Sequence, residues 1–158
     1  MTVLERIEEK LTAQAVTYRV TTHRAVYTSA EAAAVRGASL SSGAKALVVK
    51  AGGAFVMFVV PGDRRLDGKR VKKDLGMRDL RFATKEEVLD LTGLEPGSIP
   101  PFGSLFALKT YCDRGLGENE KINFNPGSHT ASLEMAYDDY VRVEGPELAD
   151  FSMRQEGA

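Results

Sequence analysis

The sequence predicts an α+β fold (mixed α/β), in which a mixed, mostly antiparallel β-sheet is surrounded by helices. Strand-like segments outnumber helical ones, and tight turns join most neighbouring segments, which favours antiparallel pairing. No internal repeat, linker or low-complexity stretch divides the chain, and 158 residues are an ordinary length for one domain. We therefore expect residues 1–158 to form a single domain.

Five helices are predicted from capping and periodicity. A Thr followed three residues later by a Glu is a capping box, because each side chain can pair with the other residue's backbone N–H. This spacing recurs at three places, and glycines follow the helical patterns where left-handed C-caps are expected. The predicted helices begin at about Thr2, Thr28, Asp67, Thr84 and Tyr137, and the first four end near Ala13, Gly37, Gly76 and Gly93.

The clearest strand signal is a hairpin in which Ala51-Gly52-Gly53 separates two nearly continuous apolar runs. Runs that are apolar at almost every position indicate central strands covered on both faces. Residues 16–21 instead alternate between apolar and polar, which predicts a half-buried strand. The predicted strands cover residues 16–21, 46–50, 54–60, 80–83, 105–111, 121–125 and 132–135, and a polar tail follows at 154–158.

The composition excludes several functional classes. The net charge of −1 gives no global attraction to nucleic acid, so any such binding needs a local basic patch. A single cysteine, Cys112, rules out an internal disulfide, and we expect it to be a buried structural thiol. Two distant histidines give no metal-ligand pattern, and the chain has no Gly-rich nucleotide-binding motif. We expect a soluble cytoplasmic protein with no membrane segment, metal or other cofactor.

The stretch from Gly97 to Gly103 is a strong candidate for a functional loop. Pro100 and Pro101 fix φ and lack N–H groups, so this stretch cannot serve inside a central strand or helix. A stiff loop between regular elements is a common location for binding and catalysis. The alternative is a rigid connector whose Ile99 and Phe102 pack into the core. The residues of the stretch leave both interpretations open.

Two polar side chains are further candidates. Lys45 lies between small residues at the start of an apolar strand, so its ammonium group could clamp an anion or stabilise developing negative charge. The structural alternative is a lysine at a strand edge whose stem simply packs. His129 lies in a polar turn, where it could hydrogen-bond a substrate or remain solvated.

A basic segment follows the hairpin. From Arg64 to Arg81 the sequence carries eight Lys or Arg residues. In the helix predicted here, lysines project opposite Val71 and Leu75, as in helices that bind a phosphate backbone without reading bases. A solvated helix face is the alternative. The predicted RNA-binding residues are Lys69, Arg70, Lys72 and Lys73.

Taken together, these positions resemble the YbaK/ProX family of aminoacyl-tRNA editing domains over nearly the whole chain. The lysine and the Gly-x-x-x-Pro loop in register are the specific part of the resemblance. It implies a mixed sheet surrounded by helices and hydrolysis of the ester that joins a wrong amino acid to tRNA. The matching residues are His23, Lys45 within Gly43-Ala44-Lys45-Ala46, the Gly97-x-x-x-Pro101 loop followed by Phe102-Gly103, Asp113, and the closing Ser132-to-Asp139 pattern.

The resemblance also implies a role for each matching residue. Lys45 would act in catalysis beside the terminal adenosine and phosphate, and the loop carrying Gly97 and Pro101 would hold the aminoacyl group and the attacking water. The terminal ribose hydroxyl of the tRNA would assist that water. The implied partner is the acceptor end of a mischarged tRNA, gripped by the basic segment, with an aminoacyl-tRNA synthetase as the candidate protein partner. The substrate-binding residues implied are His23, Ser98, Ile99, Pro100, Phe102, Gly103, Asp113 and His129.

Two departures from the family pattern bear on the substrate. Alanine-specific members tend to have His and then Asn where this chain has Asn125 and His129, and cysteine-specific members have Tyr where it has Thr21. The context of Lys45 is more similar to members that act on serine or threonine esters, and a His129 facing a substrate hydroxyl would fit. Two other functions stay open: a non-catalytic RNA-binding module that retains the groove, and a hydrolase of small esters that needs no RNA.

Overall fold

The computed structural model describes residues 1–155, and its helices begin at the predicted caps. The helices are α1 (Val3–Ala13), α2 (Ser29–Arg36), α3 (Gly68–Leu75), α4 (Lys85–Thr92) and α5 (Tyr137–Glu144). The capping boxes that start α1, α2 and α4 are confirmed, with both reciprocal hydrogen bonds formed. Asp67 caps α3 by accepting hydrogen bonds from two backbone N–H groups. No helix among residues 1–155 is both long and apolar enough to cross a bilayer.

The strands form one five-stranded sheet and two smaller ones. They are β1 (Tyr18–Thr22), β2 (Ala44–Ala51), β3 (Ala54–Pro61), β4 (Arg64–Leu66), β5 (Arg81–Phe82), β6 (Lys109–Asp113), β7 (Lys121–Phe124), β8 (Ala131–Ala136), β9 (Glu147–Ala149) and β10 (Ser152–Arg154). The large sheet has the order β5-β2-β3-β6-β9, and the smaller sheets are β1-β8-β7 and β10-β4. In the described part of the chain, β6 pairs in parallel with β3 and β9, and the other pairs are antiparallel. The predicted mixed, mostly antiparallel architecture is confirmed.

The predicted hairpin forms the centre of the large sheet. β2 and β3 pair along their whole length, from Ala44 opposite Pro61 to Ala51 opposite Ala54. Alternate residues of β3 point into two separate apolar clusters, so this strand is covered on both faces as predicted. The larger cluster contains Met57 and also the aromatic side chains that anchor the 97–103 segment.

Some predicted boundaries were wrong. The strand predicted over residues 105–111 begins only at Lys109, because residues 103–106 form a 3₁₀ turn. Ala107 then adopts a left-handed φ of 56°, and the Leu108 N–H bonds back to the Gly103 carbonyl. The three-residue strands β4, β9 and β10 were not predicted, since so short a segment shows no periodicity. β10 replaces the start of the predicted polar tail, of which residues 156–158 lie outside the described residues.

Candidate active site

A small pocket lies where α2, the start of β2 and the 97–103 segment meet. Its volume is about 130 Å³. Arg36, Lys45 and Asn125 give the wall its strongest polar groups. Because much of the rest is alanine or glycine, room remains between the backbones for a small group. The alanines and glycines of the wall are Ala32, Ala33, Gly43, Ala44, Ala46 and Gly97.

Lys45 is the second residue of β2 and is half-buried. Its Nζ donates a hydrogen bond of 2.7 Å to the Arg64 carbonyl. Burial lowers the pKa of the Lys45 ammonium group, and the nearby Asp63 carboxylate partly opposes that shift. An ammonium group carries three donors, so one backbone acceptor fixes Lys45 and leaves donors for a ligand in the pocket.

Arg36 supplies a second positive charge to the pocket wall. It is the last residue of α2, and its Nε donates to Ser132 Oγ at 2.7 Å. Its Nη2 donates to Asn125 Oδ1 at 2.9 Å. Burial lowers the pKa of the guanidinium to about 10, which still leaves the group charged at neutral pH.

A chain of hydrogen bonds connects Arg36 to both His23 and Gly97. Ser132 Oγ accepts from Arg36, so its own hydroxyl can donate to His23 Nε2, 2.8 Å away. His23 Nδ1 then donates to the carbonyl of the next residue at 2.7 Å. On the other side, Asn125 Nδ2 donates to the Gly97 carbonyl at 2.9 Å. His23 is therefore connected to the pocket through Ser132 and Arg36, and it is not part of the pocket wall.

The 97–103 segment faces the pocket at one end and the core at the other. Gly97 is exposed, whereas the next six residues are buried. Gly97 and Ile99 line the pocket, and the N–H of neither donates to an acceptor within residues 1–155. Phe102 packs at right angles to Tyr140, with ring centroids 5.3 Å apart, on the core side. The predicted site residues of this segment that are buried and do not line the pocket are Ser98, Pro100, Pro101, Phe102 and Gly103.

His129 flanks the pocket behind Gly97. Its Nδ1 donates to the Val26 carbonyl at 3.1 Å, and its ring lies against that of Tyr27, with centroids 4.6 Å apart and the planes tilted by 37°. Its Nε2 lies 3.4 Å from a Glu95 carboxylate oxygen, but without hydrogen-bond geometry, and no described residue forms a hydrogen bond with it. A side chain at position 97 would begin 3.7 Å from the imidazole Cε1. The ring therefore supports the loop and does not enter the pocket.

Asp113 lies away from the pocket that contains Lys45. The residue is 3% exposed, and its carboxylate accepts three backbone hydrogen bonds. The donors are the N–H groups of Phe151 at 2.8 Å, Ser152 at 3.0 Å and Gly115 at 2.9 Å. These contacts attach the chain before β10 to the end of β6, so the contacts of Asp113 in this structure are structural.

The basic segment lies on the exposed face of α3. Lys69, Arg70, Lys72 and Lys73 are all exposed there, while Val71 on the opposite face is fully buried.

The cysteine and the metal-ligating residue types do not form a second site in the described part of the chain. Cys112 is buried as predicted, and burial raises the pKa of its thiol to about 12. Within residues 1–155 no three His, Cys, Asp or Glu side chains are grouped as metal ligands.

Arg36 and Asn125 are polar pocket residues that were not among the site residues predicted from the sequence. A basic residue in the last turn of a helix is usual, because it interacts with the helix C-terminal carbonyls. Asn125 begins a Pro-Gly turn, where asparagine is equally common. The two side chains are 89 residues apart in sequence, and only the fold brings them together.

Comparisons with known proteins cover the part of the chain that forms this pocket. The model of the aminoacyl-tRNA editing domain matches residues 23–143, which include the whole pocket wall. The Multifunctional Ser/Thr-tRNA deacylase ProXp-y of Escherichia coli (strain K12) is 34% identical over 152 residues, covering 93% of this chain and 91% of that protein. A proline–tRNA ligase of Trichlorobacter lovleyi is 36% identical over 112 residues, covering 65% of this chain and 19% of the ligase.

Solved structures are similar over almost the whole chain. The crystal structure of hypothetical protein APE2540 has a TM-score of 0.85 at 33% identity, covering 94% of this chain and 99% of that one. The crystal structure of a candidate trans-editing enzyme for prolyl tRNA synthetase has a TM-score of 0.84 at 28% identity, covering 97% of this chain and 98% of that one.

Proposed function

We propose that this chain, which belongs to the aminoacyl-tRNA editing domain family, is a trans-editing deacylase that hydrolyses the ester of a mischarged tRNA. The observation that carries the proposal is the pocket itself. It is lined by the cationic side chains of Lys45 and Arg36 and by Gly97 and Ile99, whose backbone N–H groups donate to no acceptor within residues 1–155. Donors arranged in this way stabilise negative charge that develops on a carbonyl oxygen.

The reaction needs little from the protein beyond positioning. The water oxygen bonds to the ester carbonyl carbon, the bond to the ribose oxygen breaks, and the water's proton ends on that ribose oxygen. None of the described residues lining the pocket is His, Cys, Asp or Glu, so the wall offers neither an ordinary general base nor a thiol. We therefore assign the assisting group to the substrate, as the neighbouring ribose hydroxyl. Lys45 would hold the substrate, and Gly97 and Ile99 would receive the carbonyl oxygen.

The size of the pocket favours a small aminoacyl group. Its volume of about 130 Å³ is well below the roughly 300–1,000 Å³ of sites that hold drug-sized ligands. The Ser29 hydroxyl on the wall can pair with a substrate hydroxyl, whereas the Thr28 hydroxyl is engaged in the capping box of α2. Serine and threonine esters therefore fit best, and the E. coli relative is named for the same two amino acids.

The decisive experiment measures release of amino acid from tRNAs charged with Ser, Thr, Ala or Cys. We expect selective hydrolysis, and we expect Lys45→Ala to lower kcat by about 10²–10³-fold because it removes an electrostatic contact to the reacting group. Its melting temperature should change little, because burial already disfavours the charged amine. Lys50→Ala is the matched control, since Lys50 is on the same strand but lies over the Phe55 ring. If the folded wild-type protein releases no amino acid from any of these tRNAs, the deacylase proposal is wrong, and the alternative of a non-catalytic RNA-binding module stands.

The basic face of α3 is our proposed contact for the tRNA acceptor end. Neutralising Lys69, Lys72 and Lys73 to Gln should weaken tRNA binding and reduce the salt dependence of log Kd by about one per lysine. Hydrolysis of a minimal seryl-adenosine ester should stay at the wild-type rate, because that substrate does not reach α3. Lys85→Gln, a single exposed lysine on α4, is the control. If the salt dependence of tRNA binding is unchanged, the RNA contact lies elsewhere on the protein, and the basic face of α3 is simply a solvated helix face.

A synthetase is the proposed protein partner. The proline–tRNA ligase of T. lovleyi contains a segment similar to two-thirds of this chain. A separate deacylase with a similar fold would act on the aminoacyl-tRNA that such a ligase produces. Co-purification of the protein with prolyl-tRNA synthetase, dependent on charged tRNA, is the corresponding measurement.

A further inference from the structure

Among residues 1–155, the Arg36 guanidinium is a partly buried cation without a counter-anion. Every ion pair within 4.0 Å in residues 1–155 involves other groups, and no carboxylate opposes the effect of burial on Arg36. Arg81 is the contrast, since it is exposed and forms two hydrogen bonds to the Glu87 carboxylate. A charge taken out of water without a partner is costly, so proteins rarely retain one without a use for it.

The donors of Arg36 are only partly used. A guanidinium has five N–H donors. Nε is taken by Ser132 and one Nη2 hydrogen by Asn125, which holds the planar group in one orientation. Nη1 lies 3.6 Å from where a side chain of Gly43 would begin, on the pocket wall, and donates to no residue within 1–155. The Arg36 guanidinium is therefore held in a fixed orientation beside the pocket wall, with N–H donors that remain available to a ligand.

We propose that Arg36 is an anion receptor of the pocket and pairs with an oxyanion of the substrate. The inference rests on the proposed deacylase function for the identity of that substrate. An aminoacyl-tRNA end offers oxyanions from two sources: the phosphodiester of its terminal nucleotide, and the carbonyl oxygen of the ester as water adds to it. A guanidinium pairs well with either, because its fork matches two oxygens.

The first experiment compares the binding of AMP with that of adenosine, by calorimetry, in the wild type, Arg36→Gln and Arg36→Lys. If the phosphodiester is the partner, AMP binds about tenfold or more tightly than adenosine, and Arg36→Gln abolishes most of that preference. Arg36→Lys should keep more of it, since the charge remains. A bracing role for Arg36 would change both affinities alike and leave their ratio constant. Arg19→Gln, an exposed cation away from the pocket wall, is the control.

The second experiment measures kcat and KM with the best ester from the panel. If the ester oxygen is the partner, Arg36→Gln keeps the preference for AMP over adenosine but lowers kcat about 100-fold without changing KM. Arg36→Lys should then have a kcat at least tenfold higher than that of Arg36→Gln. If Arg36 only holds Ser132 and Asn125 in position, it needs both of its hydrogen bonds to them, and Arg36→Lys should then have the same low kcat as Arg36→Gln. That result, together with an unchanged AMP preference, overturns the inference. If the wild type hydrolyses no ester, the proposed function fails, and the AMP preference alone decides the role of Arg36.

Discussion

Gly97 and Gly103 lie at the two ends of one rigid segment, and each is a glycine for a different reason. Gly97 has a left-handed φ of 88°, with no atom closer than 3.7 Å to the position of a side chain. Gly103 has an ordinary φ, but a side chain there would collide with Thr110 Oγ1 and come within 2.7 Å of the Leu108 carbonyl. Backbone conformation selects the first glycine, and close packing selects the second.

The two ends of the segment also differ in how fully their backbone groups are hydrogen-bonded. At the core end the Pro101 carbonyl accepts from the Tyr140 hydroxyl at 2.7 Å, and the Gly103 N–H donates to Thr110 at 3.0 Å. At the pocket end the Gly97 N–H has no acceptor within residues 1–155, and its carbonyl is held by Asn125. Groups with spare hydrogen-bonding capacity thus gather at the pocket end, and the core end holds them rigidly in place.

Phe102→Ala is the larger test of this division. Phe102 is fully buried between Phe124 and Tyr140, so truncating it should lower the free energy of unfolding by about 3–5 kcal/mol. Urea denaturation measures the loss, and Phe82→Ala, on an exposed ring, should cost less than about 0.5 kcal/mol. At a temperature where the variant is folded, kcat should stay within a few-fold of the wild type. A folded but inactive Phe102→Ala would mean that the two ends are not separable.

Local patterns predicted most of the elements around this segment. The capping boxes and the Ala51-Gly52-Gly53 hairpin depend on neighbours within a few residues, and the structure has them where they were predicted. The strand predicted at 105–111 was wrong for the opposite reason. Its first half is bent by a 3₁₀ turn whose Ser104 is held by Glu144, 40 residues away, and no local signal reports that contact.

The site was predictable in the same partial way. Lys45 and the 97–103 segment carry unusual local composition, and both reach the pocket. The core end of the segment fits the alternative of a rigid connector, with Phe102 packed into the core, and a functional role for the pocket end stays a prediction. Arg36 could not be found, because its partners are 89 and 96 residues away and its local context is an ordinary helix end. A buried charge is recognisable only once the atoms around it are known.

Gly97→Ala is the smaller test. A side chain at a left-handed φ costs about 1–2 kcal/mol, which should appear as a modest drop in the free energy of unfolding. The loop can relieve the strain by rotating the two peptide units that flank Gly97, and this would break the bond from Asn125 to the Gly97 carbonyl and change the direction of the Gly97 N–H. Misplacing a positioning group by about 1 Å can cost up to roughly 100-fold in rate, so we expect kcat to fall by about tenfold to 100-fold.

Gly52→Ala separates strain from function, because Gly52 also has a left-handed φ, of 63°, with open space around it in the hairpin turn. Both variants carry the same kind of backbone strain, so their losses of unfolding free energy should be similar. Only Gly97→Ala should lower kcat, since the turn at Gly52 is not part of the pocket wall. Equal activity in the two variants would show that the Gly97 peptide does not act on the substrate. The pocket end would then be as purely structural as the core end, and the spare donors of Lys45 and Arg36 would have to account for catalysis.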